Sequence, residues 1–266
     1  MIQRIAANGA ELAYRFDGPE DAPVLMLSNS LMSNHTMWDP QIEALTPRFR
    51  VLRYDTRGHG ASAVPPGPYT MAMLGEDAGA LMTALGLKRV HFMGLSMGGM
   101  IGQYLGANHA DKLISLILCD TACVMPPREL WEERVSQARA VGLGAAVEAT
   151  LGRWFTEPFR KPNNPVGNAV TEKVANMIRT TAVEGFAGCC AAIRDMDHQA
   201  LLASIKVPTL VVVGELDPGT PVAAAEVLHA GIAGSELAVI PASAHLCNME
   251  RPEEFNRIVT GFLARF

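Results

Sequence analysis

The chain has no long apolar run: its first residues, Met1-Ile2-Gln3-Arg4-Ile5, lack the hydrophobic stretch of a signal peptide, and no later segment stays apolar long enough to span a bilayer. A cytoplasmic protein without a membrane partner is the expectation. Basic charge is not in excess either. With 22 Lys and Arg against 27 Asp and Glu, the net charge of -5 provides no field for nucleic acid or an anionic surface. Cysteines are few and unpatterned. The five, Cys119, Cys123, Cys189, Cys190 and Cys247, are odd in number, form no Cys-x-x-Cys, and sit among apolar neighbours, which fits reduced buried thiols better than a disulfide framework or a zinc site. Internal repeats and low-complexity tracts are absent as well, which excludes solenoids and disordered arrays.

What is present is a packed-globule composition, 49% hydrophobic and 18% charged over 266 residues, enough to bury a large core. Short apolar runs at Val24-Leu27, Val51-Tyr54, Val90-Met93 and Leu113-Leu118 alternate with amphipathic stretches. That pattern predicts parallel strands connected by helices and covered on both faces. Ile2-Ile5 and Glu11-Phe16 flank Asn8-Gly9, a dipeptide that accepts the positive φ angles of a tight hairpin, so an antiparallel edge is expected there. From Ala122 to Ala200 the apolar residues recur at helical spacing, interrupted by a loop at Arg160-Lys-Pro-Asn-Asn164. Strand character returns at Thr209-Val213 and Glu236-Ile240, before a closing helix from Pro252 to Phe266. The expected organisation is a core of residues 1–121 and 201–266 with a helical insertion at 122–200.

The chemistry centres on Gly94-Leu95-Ser96-Met97-Gly98. This G-x-S-x-G follows an apolar run and precedes a helical stretch, the context of a sharp strand-to-helix turn that projects a serine hydroxyl above a sheet. A serine is a poor nucleophile at neutral pH and needs a base oriented by a carboxylate. Asp217, in the loop after Leu210-Val213, is the preferred acid; Glu215 and Asp120 are the alternatives. His245, beyond the strand ending at Ile240, is the preferred base, with His59 its one serious rival. The resulting order is Ser, Asp, His. An oxyanion hole needs backbone N–H donors, one from Met97 and a second from the loop after Leu27, where Leu31 is the better candidate.

Together with Asn29-Ser30-Leu31, Asp55-Thr-Arg-Gly-His-Gly-Ala-Ser62, Gly214-Glu-Leu-Asp217 and Ala244-His245, these residues resemble the α/β-hydrolases, a resemblance covering most of the chain. It implies an α/β-hydrolase fold, a mostly parallel sheet flanked by helices, with residues 122–200 as a helical cap. It also makes His59 part of a structural turn. Asn29-Ser30 stands where the family more often has His-Gly. With Leu31-Met32, Trp38 and a cap containing Trp131 and Trp154, the loop is similar to that of the 3-oxoadipate enol-lactonases of bacterial aromatic-acid catabolism.

That resemblance implies a small-molecule lactone or ester as substrate, with no cofactor or metal. Ser96 would attack the lactone carbonyl, the Met97 and Leu31 amides would hold the oxyanion, and His245 would protonate the departing enol oxygen and then activate water. Such a lactone carries a carboxylate. Arg134, one helical turn from Trp131, can share a face with it and reach one pocket; the alternative is that Trp131, Arg134 and Trp154 only pack the cap or meet solvent. Esterase, carbon–carbon hydrolase and perhydrolase activities need the same three residues. A receptor without turnover is a reading from another class. Serine at position 96 disfavours dehalogenases and epoxide hydrolases, which place an aspartate there.

Overall fold

The structure, a computed structural model, describes all 266 residues. Eight strands form one sheet: β1 (Gln3–Ala7), β2 (Ala10–Asp17), β3 (Val24–Ser28), β4 (Arg50–Tyr54), β5 (Val90–Leu95), β6 (Leu113–Cys119), β7 (Thr209–Gly214) and β8 (Glu236–Ile240). Their order is β1-β2-β4-β3-β5-β6-β7-β8. The hairpin expected at Asn8-Gly9 is there, with φ of 46° and 74°, and pairs β1 with β2 in antiparallel register. β2 is also antiparallel to β4, and from β4 to β8 every pairing is parallel. All six residues of β5 and of β7 are buried, as strands covered on both faces require.

Strand order dictates where a site can form. From β3 the chain crosses to β4 on one side, then returns past β3 to β5 and continues to β6, β7 and β8 on the other. Right-handed crossovers therefore put the helices before and after this reversal on opposite faces. α1 (Asp39–Leu45) packs against the closing helix α10 (Pro252–Leu263), while α2 (Met71–Ala84) packs against α3 (Met97–Asn108); α8 (Val222–Gly231) covers β7 and β8. The reversal opens a crevice at the carboxyl ends of β3 and β5, the switch point where ligands of open α/β sheets bind.

Between β6 and β7 the chain adds no strand to the sheet. It forms α4 (Arg128–Val141), α5 (Val147–Trp154), α6 (Pro165–Thr180) and α7 (Val183–Arg194), with α9 (Cys247–Glu250) lying later, after β8. The expected loop at 160–164 ends as a helix cap: the Asn164 side chain accepts from the Gly167 amide at 3.0 Å, and Pro165 fills the first helical position. A bridge between Val124 and Asp197, with His198 N donating to Cys123 O at 2.8 Å, ties the two ends of this helical segment together. Residues of α4 and α5 line the same cavity as residues at the carboxyl ends of β3 and β5. No helix is long and apolar enough to cross a membrane.

Candidate active site

Ser96 occupies the turn between β5 and α3 with φ 57° and ψ −115°, a backbone conformation that costs about 1–3 kcal/mol and persists only where its surroundings impose it. The surroundings here are tight. A Cβ on Gly94 would lie 2.0 Å from the Gly98 carbonyl oxygen, and one on Gly98 would lie 2.1 Å from that of Ser28. Both obstacles are backbone and cannot turn aside. Ser96 N donates to Cys119 O at 2.8 Å, and Thr121 Oγ1 donates to Ser96 O at 2.8 Å, so β6 holds the turn from the other side. Gly98→Ala is expected to cost about 3 kcal/mol or more, measurable as a lowered denaturation midpoint.

Asp217 and His245 arrive from the ends of β7 and β8. His245 Nδ1 lies 2.7 Å from Asp217 Oδ2, and both are buried. Asp217 is held in turn: Oδ1 accepts from the amides of Gly219 (2.8 Å) and Thr220 (3.1 Å), and Oδ2 accepts from Thr220 Oγ1 (2.6 Å). Burial pushes the Asp217 carboxyl up, but His245 and these donors outweigh it and leave the net shift downward. Burial likewise pulls the imidazole down, and the adjoining Asp217 carboxylate reverses that, leaving His245 above its ordinary value. No hydrogen bond joins Ser96 to His245. The two residues line one cavity of about 320 Å³, together with Leu31, Trp131, Arg134 and Trp154.

Glu215 and His59 make other contacts. Glu215 accepts from the Ala242 amide on the surface, and His59 is buried in a neighbouring turn, where its Nε2 accepts from the Met32 amide at 2.9 Å. Burial lowers the His59 pKa to about 4, so it is an unprotonated acceptor at neutral pH. That bond helps to hold the loop after β3, in which Met32 has φ 59°. Asn29 fixes the same loop, donating to Tyr54 O at 2.8 Å and accepting from Trp38 Nε1 at 3.0 Å. Between these anchors the Leu31 amide donates to nothing in the protein. Met97, as the first residue of α3, has no acceptor for its amide within the helix.

The segment between β6 and β7 supplies further wall residues. Trp131 donates its indole N–H to Met125 O at 2.9 Å, and the Arg134 guanidinium carbon sits 4.7 Å from its ring centroid. Trp154 faces His245, ring centroids 6.1 Å apart. Its carbonyl accepts from the Leu246 amide at 3.0 Å, tying α5 to the loop that carries His245.

Sequence reasoning missed two residues. Arg153 lines the cavity beside Arg134; burial and then the Arg134 charge lower its pKa, and neither guanidinium forms an ion pair with a carboxylate. Its only signal was adjacency to Trp154. Glu250 accepts from the amides of Thr156 (3.0 Å) and Ala244 (2.9 Å), bracing the segments that carry Trp154 and His245, and nothing local marked it.

With this geometry, residues 23–252 match the family described as the alpha/beta hydrolase fold. The chain belongs to the α/β-hydrolase family. It is 37% identical to 3-oxoadipate enol-lactonase 1 of Acinetobacter baylyi, over 96% of this chain and 94% of that one. A crystal structure of the enol-lactonase from Burkholderia xenovorans LB400 superposes with a TM-score of 0.95 at 40% identity, covering 98% of this α/β-hydrolase and 100% of the other. A putative carbamate hydrolase RutD from a Caulobacter species is 30% identical over 93% of each chain. These likenesses make the protein a carboxylic-ester hydrolase, acting on a small-molecule ester or lactone.

Proposed function

We propose that this hydrolase opens 3-oxoadipate enol-lactone to 3-oxoadipate in bacterial aromatic-acid catabolism, as a cytoplasmic enzyme with residues 122–200 as its cap and the remainder as its core. The observation that carries the substrate class is the pair Arg134 and Arg153. A half-buried cation without a counter-ion is costly, and two side by side repel each other as well. They are retained in the wall of the Ser96 cavity, in a chain of net charge -5. An anionic substrate supplies the missing charge, and a carboxylate suits guanidinium donors in charge-assisted bonds.

In this mechanism Ser96 Oγ attacks the lactone carbonyl while His245 Nε2 takes its proton. Asp217 holds the Nδ1–H tautomer and stabilises the imidazolium. The tetrahedral oxygen receives the Leu31 and Met97 amides. Collapse breaks the acyl–oxygen bond of the ring; the imidazolium gives its proton to the enol oxygen, whose enol becomes the ketone. Water, deprotonated by His245, then releases the acid and restores Ser96. Every proton taken up is returned, with no cofactor or metal.

The test is loss of ultraviolet absorbance from freshly generated enol-lactone. Arg134→Ala and Arg153→Ala should each lower kcat/KM on it at least about tenfold more than on uncharged p-nitrophenyl acetate, since a hydrogen bond to a charged group contributes about 1.5–3 kcal/mol. Equal losses on both substrates would remove the carboxylate assignment. Likeness to the carbamate hydrolase favours a second reading, a carbamate bearing a carboxylate, which the same cavity would bind. Turnover of neutral esters alone would leave a general carboxylesterase, or a carbon–carbon hydrolase or perhydrolase to be assayed next. A Ser96 inert to a fluorophosphonate probe would leave a receptor.

A further inference from the structure

Beneath Asp217 and His245 lies a carboxyl group that the mechanism does not use. Asp120 follows β6 with φ 41° and has no exposed surface. Its Oδ1 accepts from the amide of Gly214, the last residue of β7, at 2.8 Å. Its Oδ2 lies 2.8 Å from Sγ of Cys247, two residues beyond His245. One side chain at the end of β6 therefore touches both the strand that leads to Asp217 and the segment that carries His245.

The ionisable groups facing it are Cys119 on its own strand, Asp217 from the loop after β7, and His245 and Cys247 from the segment after β8. No lysine or arginine is among them. An ionised Asp120 would be dry, would have one amide and one thiol for company, and would stand close to a second carboxylate. Burial first, and then the Asp217 charge, push its carboxyl well above the usual range, against the pull of His245, Cys247 and Gly214. Two carboxylates sharing such a site do not both ionise. Asp217 has the donors: two amides, the Thr220 hydroxyl and the imidazole.

We propose that Asp120 is a positioning residue held as the un-ionised acid, its Oδ2–H donating to Cys247 Sγ while Oδ1 accepts from Gly214, so that the end of β6 fixes the spacing between the Asp217 and His245 segments. A carboxylate at this position would instead accept from the Cys247 thiol; with the acid as donor, the thiol proton turns away from the contact. As a neutral acid the group is donor and acceptor at once and ties two elements. It also leaves Asp217 as the single negative charge at the imidazole. The positioning role rests on the parts proposed above for Asp217 and His245; the protonation state does not.

The experiment compares wild type, Asp120→Asn, Asp120→Ala and Cys247→Ala by thermal unfolding across pH 5 to 9, and by hydrolysis of p-nitrophenyl acetate. An asparagine keeps a donor and an acceptor in the same places and has no proton to lose. For wild type, a carboxyl whose pKa is raised on folding contributes stability at low pH that is lost as pH climbs above its unfolded value of about 3.9. The Asn variant escapes that loss. Its Tm relative to wild type should rise steadily with pH and exceed it by at least about 3 °C at pH 8. Asp120→Ala should lose on the order of thirtyfold in kcat with little change in KM, and Asp120→Asn should recover most of that loss. Cys247→Ala removes the acceptor and should lower Tm throughout, and Cys247→Ser should restore it.

A Tm difference that does not grow with pH, or an Asn variant less stable than wild type at pH 8, overturns the un-ionised acid. Movement of the acid limb of kcat/KM to lower pH in Asp120→Asn would instead make Asp120 a second charge acting on His245, and would overturn it too. Should Asp120→Ala fail to fold, the Asn and Cys247 variants decide the question. The Tm comparison needs no substrate, so a failure of the lactone assignment leaves it intact.

Discussion

Ser96→Ala should lower kcat on the enol-lactone by about 10⁵-fold, the loss expected when the nucleophile of a triad is deleted and only binding and the oxyanion donors remain. The variant should fold normally. Ser96 makes no side-chain cap bond to α3, and what holds its turn is backbone: its own N–H to Cys119, its carbonyl to Thr121, and the close approach of Gly94 to Gly98. Single-turnover kinetics and unfolding curves on the same preparation separate the two outcomes. A variant with native stability and more than a tenth of wild-type turnover would take the nucleophile away from Ser96. A fluorophosphonate probe supplies an independent check, because wild type should gain one adduct mass and Ser96→Ala none.

Asp217→Asn should be the second severe loss, about 10⁴-fold in kcat, because an amide nitrogen facing His245 Nδ1 favours the wrong imidazole tautomer. It should also move the pH profile. The base form of His245 is the unprotonated one, so kcat/KM of the wild type rises with pH through the imidazole pKa. Burial lowers that pKa and Asp217 raises it, with the net above 6.5. Removing the Asp217 charge takes away the largest cause opposing burial. The residual activity of Asp217→Asn should therefore have its acid limb displaced to lower pH, readable from kcat/KM between pH 5 and 9. An unmoved limb would place the controlling charge on another group.

The strands and the turn that carries Ser96 were legible because their information is local. β5 and β7 read as apolar runs since both faces of each are covered, and Gly94 and Gly98 are forced by clashes within four residues of the chain or with the adjoining strand. The hairpin at Asn8-Gly9 was legible for the same reason, its positive φ angles being a property of two residues. His59 could be set aside on the family's turn, but its actual partner, the Met32 amide 27 residues upstream, had no local trace.

The sequence by itself determined which residues form strands, where the serine stands, and the chain order of serine, carboxylate and histidine. Only the tertiary structure decided that β3 and β5 are neighbours at the switch point, and so that the unpaired Leu31 amide and Ser96 line the same cavity. It also decided that Arg153 comes to stand beside Arg134, that Glu250 braces Thr156 and Ala244, and that Asp120 meets Gly214 and Cys247, 94 and 127 residues away. The reason is that periodicity and turn chemistry act over one element, whereas these contacts depend on strand order and on how the cap packs. Those are set by the burial of apolar surface, which is non-directional and leaves no mark at the polar residues it brings together.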